Sequence, residues 1–438
     1  MLTALGILTI VTLLTLILFR VTSVLVALTL VPIAAALVGG FGTQVGTFAM
    51  EGIRGVTPVA VLLAFAVVYF GVMNDAGLFE PLIRQLLRVV HRDPVRIAVG
   101  TAAVAAVAHL DGAGASTFMV TIPAMLPLYQ RAGMSPLSLT CTTALAAGTM
   151  NMLPWGGPTN RAAVALQVGA TELFIPLLLP MLAGLAAVFG LSAHIGMWER
   201  ARARSRHNTE DGAEPVGAEM TTEVSPAAAA TGLTGRWYCN AVLTVVTLTA
   251  LFGEVLPLAV VFIVASAIAL LVNYPDAHAQ RERLTVHGSA AMMMVTTVFA
   301  AGVFTGILTK SGMLAAMSAD LVRVLPDGVL RHLPVLVGLA SMPLSLAFDP
   351  DSFYFGLMPV LARSSEAAGG SAIETARAAL LGQMTTGFPV SPLTPATFLL
   401  VGLAGVDLAD HQRRTIPYAF AVTVIMTVAA LATGAVRW

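Results

Sequence analysis

Charge is scarce in this chain of 438 residues. Arg, Lys, Asp and Glu together make up 11%, less than half the roughly 25% of an average soluble protein. The 23 basic residues are matched by 23 acidic ones, so no basic excess exists to hold a nucleic-acid backbone. Lys310 is the only lysine. The two cysteines, Cys141 and Cys239, lie in separate apolar segments. That excludes a disulfide framework or a paired-cysteine redox or zinc motif, and predicts small packing residues. No phosphate-binding loop of Walker type and no His-Glu-x-x-His zinc motif is present. An enzyme is therefore not expected, and any energy source is an ion gradient or a separate subunit. A passive channel would carry a repeated pore motif, which is absent.

What is abundant is apolar sequence, 57% by composition. Runs at 2–19, 24–39, 56–72, 173–193, 255–272 and 416–431 are long and almost uncharged. Runs of about 18 residues or more read as membrane-spanning helices. The first lacks a basic leader and Arg20 leads straight into the second, so it is not read as a cleaved signal. The fold class is an all-α polytopic membrane protein.

Several segments break this pattern. A polar link with Glu51 and Arg54 precedes the third span. Residues 77–91 place apolar side chains at helical spacing among Arg84, Arg88 and His91, as in a helix lying along the membrane surface. Residues 95–130 hold two short apolar arms around a polar tip, His109 to Thr117, and predict a re-entrant hairpin. Residues 137–169 predict a discontinuous helix interrupted from Asn151 to Arg161. A second hairpin is expected at 333–362, with the tip Asp349-Pro350-Asp351-Ser352, and a second broken helix at 376–404, interrupted at 389–397.

These features recur. Residues 71–90 align with 306–325 at a shift of 235, which also places Pro389 on Pro154 and Thr394 on Thr159. Broken segments at matching positions in two halves point to a transporter binding site. The expected organisation is a first repeat at 1–198, a polar linker at 199–236 and a second repeat at 237–438. Arginines at 20, 84–96, 131, 200–206, 281, 283, 413 and 414 fall on one side if the N-terminus is external. The positive-inside rule makes that side cytoplasmic. Five crossings and one hairpin per half then make the repeats inverted.

Polar and charged residues at membrane depth are candidate functional residues. Exposed helix N-termini suit anions, and carboxylates and hydroxyls suit a hard cation. The substrate-binding set is Ser116, Thr117, Asn151, Gly156, Gly157, Thr159, Asn160, Arg161, Ser352, Ser391 and Thr394, with Arg161 able to fork a carboxylate. Asp111, Asp349, Asp351 and His109 form the metal- or proton-coupling set. Other readings compete with these. Asp111 and Asp349 would cap the returning arms, Arg161 would pair with Asp111, and Gly156, Gly157 and Pro158 would only shape the turn. Trp155, Phe353 and Tyr354 are read as packing, and Met292, Met293 and Met294 as core.

The tip His109-Leu110-Asp111-Gly112-Ala113-Gly114, the Asn151–Arg161 interruption, Phe348-Asp349-Pro350-Asp351-Ser352-Phe353-Tyr354 and Phe388-Pro389-Val390-Ser391-Pro392-Leu393-Thr394-Pro395 resemble the CitMHS family of citrate–metal:proton symporters. The resemblance spans the chain outside 199–236. It implies uptake of citrate complexed with a divalent metal, coupled to protons, by an elevator-like movement against a dimeric scaffold in the plasma or inner membrane. The metal travels as cargo and no permanently bound cofactor is implied. The sodium-coupled dicarboxylate carriers of the wider superfamily have Ser-Asn-Thr tips, whereas these tips are rich in Asp. Alternatives are a carrier for gluconate or a dicarboxylate, and the membrane subunit of an anion extrusion pump.

Overall fold

In the computed structural model, residues 1–19, 21–89, 93–209, 235–253 and 256–438 are described, and no strand occurs among them. The first half contains α1 (Leu2–Leu18), α2 (Val24–Val38), α3 (Val45–Asp75), α4 (Glu80–Val89), α5 (Pro94–Ala108), α6 (Gly114–Arg131), α7 (Pro136–Met150), α8 (Gly157–Leu166), α9 (Ala170–Phe174) and α10 (Leu178–Thr209). The second contains α11 (Gly235–Gly253), α12 (Leu258–Asn273), α13 (Ala277–Lys310), α14 (Met313–Val324), α15 (Asp327–Arg331), α16 (Leu333–Leu344), α17 (Met358–Ala367), α18 (Ala372–Leu380), α19 (Pro395–Ala404) and α20 (Leu408–Ala432). Adding 235 to the bounds of α1, α2 and α4 gives 237–253, 259–273 and 315–324, each within two residues of the bounds of α11, α12 and α14.

Local chemistry sets the helix starts. Asp93 caps α5 through the amide of Val95 at 3.4 Å, and Ser135 caps α7 through that of Leu137 at 3.3 Å. A proline follows each cap, where a missing N–H costs nothing. Asp407 caps α20 by accepting from Ala409 at 2.8 Å. Five helical stretches among the described residues are long and apolar enough to cross a bilayer, including α3 with 31 residues, α13 with 34 and α20 with 25. Leu8 and Leu30 face outward, as do Val245 and Leu271, which is stable for a surface bathed in lipid.

The longest seam joins α3 to α13, which pack antiparallel. Glu51 pairs with Lys310 at 2.5 Å at one end, and Asp75 accepts from His287 at 2.8 Å and Arg283 at 3.3 Å at the other. Gly52 lies so close to the Gly302 carbonyl that any side chain would collide. Gly71, the position 235 residues before Gly306, lies against the His287 ring, while Gly306 lies against Phe48 and Gly52. The two halves thus clasp each other through matching positions.

Some expectations change. The polar link carrying Glu51 and Arg54 is helical, because Glu51 finds Lys310 and the span begins at Val45. The expected linker begins later than 199: residues 199–209 continue α10, and Gly235 and Arg236 already open α11. Glu199 is buried, accepting from the Ser138 hydroxyl at 2.6 Å. Arg20, His91, Arg92, residues 210–234, Glu254 and Val255 lie outside the described residues. Met292, Met293 and Met294 are exposed rather than core, at 62%, 74% and 43%, because this stretch of α13 faces outward. Cys141 is buried as expected of a packing residue, but Cys239 is exposed on α11.

Candidate functional site

The first hairpin tip is a single tight turn. α5 ends at Ala108, His109–Asp111 form one 3-10 turn, and Gly112 takes φ +73° before α6 begins at Gly114. That left-handed backbone favours glycine. Asp111 Oδ1 accepts from the Ala113 amide at 2.8 Å, and its Oδ2 accepts from the Ser116 hydroxyl. Asp111 makes no ion pair among the described residues. His109 is fully buried. Its Nδ1 lies 2.8 Å from the Thr117 hydroxyl and its Nε2 3.3 Å from Asn151 Oδ1.

Asn151 opens the interruption between α7 and α8 and joins the halves, its Nδ2 donating to the Met384 carbonyl at 2.7 Å. The rest of this interruption is held from within. Thr159 Oγ1 donates to the Met152 carbonyl at 2.7 Å, and Asn160 Nδ2 donates to the Gly156 carbonyl at 2.8 Å. A Cβ on Gly156 would fall against the carbonyls of Asn151 and Leu153, so only glycine lets the chain close here. Trp155 packs on Phe70 and Phe262 and donates to the Leu110 carbonyl at 2.8 Å. Asn160 Oδ1 is buried without a hydrogen-bond partner among the described residues.

The second tip carries the charge. Asp349 Oδ1 accepts from the amides of Asp351 and Ser352 at 2.9 and 3.0 Å, and Oδ2 from the Ser352 hydroxyl at 2.6 Å. It thereby holds the start of the helix that opens at Pro350 and runs through the π-helical turn Ser352–Leu357 into α17. Asp351 accepts from Arg161 Nε at 2.7 Å, so the ion pair joins this tip to the opening of α8. Arg161 therefore partners Asp351, not Asp111. The reason is topological: the second tip packs against α8 of the first half, and the first tip packs against α19 of the second. Phe388 stacks on Phe118 at 5.8 Å, and Gly114 sits against Phe388 and Ala396. At the positions matched by a shift of 235, Arg161 and Asp351 are replaced by Ala396 and Ser116. Only one of the two half-sites holds an ion pair.

A cavity of about 550 Å³ opens beside that pair, within the range of small-ligand sites. Arg161, Asp349, Asp351, Leu393, Thr394 and Pro395 line it, with Thr22 and Ser23 from the turn before α2. Of the candidates, Arg161, Asp349, Asp351 and Thr394 meet at the cavity, and Ser352 stands behind Asp349. Asp111, Ser116, His109, Thr117 and Asn151 belong to the first tip and its link to the halves. Gly156, Gly157, Thr159, Asn160 and Ser391 shape the interruptions; Ser391 donates to the Ser345 carbonyl at 2.6 Å. Thr22 and Ser23 carry no sequence signal, because a short connection between two apolar spans contains no motif. No cluster of three or more His, Cys, Asp or Glu side chains placed to hold a metal ion occurs among the described residues.

A family model described as CitMHS, citrate transporter, matches residues 5–382. A citrate transporter of Bacillus subtilis is 42% identical over 416 residues, covering 95% of each chain. A Mg(2+)/citrate complex secondary transporter of the same organism is 38% identical over 440 residues, covering 100% of this chain and 99% of the relative. Among solved structures, the YdaH transporter of Alcanivorax borkumensis superposes with a TM-score of 0.60 at 15% identity, covering 99% of this chain and 98% of that one. The Neisseria gonorrhoeae efflux pump MtrF has a TM-score of 0.60 at 11% identity, covering 92% and 86%.

Proposed function

The chain belongs to the CitMHS citrate transporter family, and on that premise we propose that it imports citrate as a complex with a divalent metal ion, coupled to protons. The observation that carries this reading is a cavity whose wall presents both signs of charge, the Arg161–Asp351 pair together with Asp349. Free citrate would meet two carboxylates. A metal–citrate complex carries roughly one net negative charge and has a cationic face as well as free carboxylate oxygens. Asp349, with no cation of its own among the described ion pairs, faces the metal. Arg161 takes a citrate carboxylate, while Thr394, whose hydroxyl already donates to the Phe388 carbonyl, lines the wall beside it. The protein need not supply a full coordination shell, because citrate supplies most of it.

Asp111 carries the coupling proton. Its donors are a hydroxyl and an amide, so it can exchange a proton without breaking an ion pair. Asp351 would first have to leave Arg161. The movement is elevator-like: each hairpin travels with the helix interruption of the opposite half against a scaffold that dimerises, and the basic loops face the cytoplasm. Antiparallel packing of the matched helices α3 and α13 supports inverted repeats, since a direct repeat would set matched helices parallel.

Equilibrium binding tests the cargo. Purified protein should bind radiolabelled citrate saturably with Mg2+ present, and chelation of the metal should lower affinity at least about tenfold, the loss of one charge-assisted contact. Equal binding of metal-free citrate would instead favour a carrier for a simple organic anion.

A further inference from the structure

We propose that His411, with Gln412 beside it, is a positioning residue that clamps the second interruption and thereby places the Thr394 wall of the cavity. The proposal rests on the cargo cavity described above. Residues 381–394 contain two prolines without N–H groups, Pro389 and Pro392, and a stretch that leaves helical hydrogen bonding after Leu380. Its carbonyls therefore need partners from elsewhere.

All four carbonyls from Phe388 to Ser391 have one. Thr394 and Thr397 hydroxyls donate to Phe388 O at 3.0 and 2.9 Å, and Thr394 also donates to Ser391 O at 3.3 Å. The two middle carbonyls are held from α20. His411 Nε2 lies 3.0 Å from Pro389 O, and Gln412 Nε2 donates to Val390 O at 2.8 Å. A carbonyl only accepts, so His411 carries its proton on Nε2. Its Nδ1 then accepts from a hydroxyl, Thr140 Oγ1 at 3.0 Å or Thr415 Oγ1 at 3.2 Å. Thr140 stands on α7 of the first half. His411, Thr140 and Thr415 are all fully buried, so water cannot replace a lost partner.

The first interruption has no such clamp. Positions 235 residues before His411 and Gln412 are Pro176 and Leu177, which carry no side-chain donor. There Thr159, Asn160 and Arg161 hold the carbonyls from within. The clamp is thus specific to the half that contributes Thr394, and α20 ties that wall to α7.

The test measures binding of radiolabelled citrate with Mg2+ to the full-length protein, together with its melting temperature and saturating uptake rate. His411→Leu is expected to raise the Kd about tenfold, as an orphaned buried carbonyl shifts the wall. The saturating uptake rate should stay within about twofold, since the residue touches no cargo. His411→Gln, which keeps an N–H donor near the Nε2 position, is expected to recover affinity to within about threefold. Gln412→Leu removes the second partner alone and should raise the Kd about threefold even if the histidine variant does not fold. Wild-type affinity in His411→Leu or Gln412→Leu, or no recovery in His411→Gln, overturns the clamp while leaving the cargo reading intact. No binding by the wild-type protein overturns both.

Discussion

Arg161→Gln is expected to weaken Mg2+–citrate binding at least about 30-fold, the largest loss of any single substitution in the cavity. Two effects add. The fork that would hold a citrate carboxylate is removed, and charge-assisted pairs are roughly twice as strong as neutral ones. Asp351, whose side chain is only 14% exposed, is also left without its cation, and stranding one partner of a buried pair is strongly destabilising. The double variant Arg161→Gln/Asp351→Asn separates them. It removes the stranded charge and should recover the melting temperature, while binding stays at least about tenfold weaker than wild type because the fork is still missing. Arg161→Lys keeps the charge but not the planar fork and should fall between. Titration calorimetry with Mg2+–citrate and thermal melting of the same preparations give both readouts. Wild-type affinity in Arg161→Gln would remove this residue from the cargo site.

Asp111→Asn is expected to abolish accumulation driven by a pH gradient while leaving exchange intact. Asparagine can accept from the Ala113 amide through its one carbonyl oxygen and donate its NH2 to the Ser116 oxygen, whose proton then goes to the Ala113 carbonyl, and it forms the same side-chain turn. The hairpin should therefore keep its shape, with Mg2+–citrate affinity within about threefold of wild type. What the variant lacks is a group that can take and release a proton. Counterflow exchange of labelled for unlabelled citrate should continue in proteoliposomes, whereas uphill uptake under an inward proton gradient should disappear. Uphill uptake at the wild-type level would take the proton role away from Asp111, leaving His109 as the buried titratable group of that tip.

The places where the helices break were legible in sequence because polar and helix-breaking residues are conspicuous in an apolar chain. Asp349, Asp351, Arg161 and Thr394 stood out against apolar flanks, and they share one cavity. Which acid partners Arg161 was not legible. Asp111 and Asp351 are equally good candidates by chemistry, and only the crossing of each tip onto the opposite half decides between them. Similar reasons hid the ends of α3 and α10. Glu51 and Glu199 read as surface charge until Lys310 and Ser138 are brought beside them. His411 and Gln412 follow Asp407 and Asp410 in a polar helix start and announce nothing, because their partners are backbone carbonyls some twenty residues earlier. Periodicity reports which face of a helix is buried, not what the buried polar groups meet.

The central claim is that metal, citrate and proton move together. Uptake of radiolabelled citrate into proteoliposomes containing only this protein tests it most directly, with Mg2+ and an inward proton gradient varied independently. The account predicts concentrative uptake when both are present, collapse when the metal is chelated, and no accumulation when the gradient is dissipated. Concentrative uptake that is indifferent to the metal would contradict it.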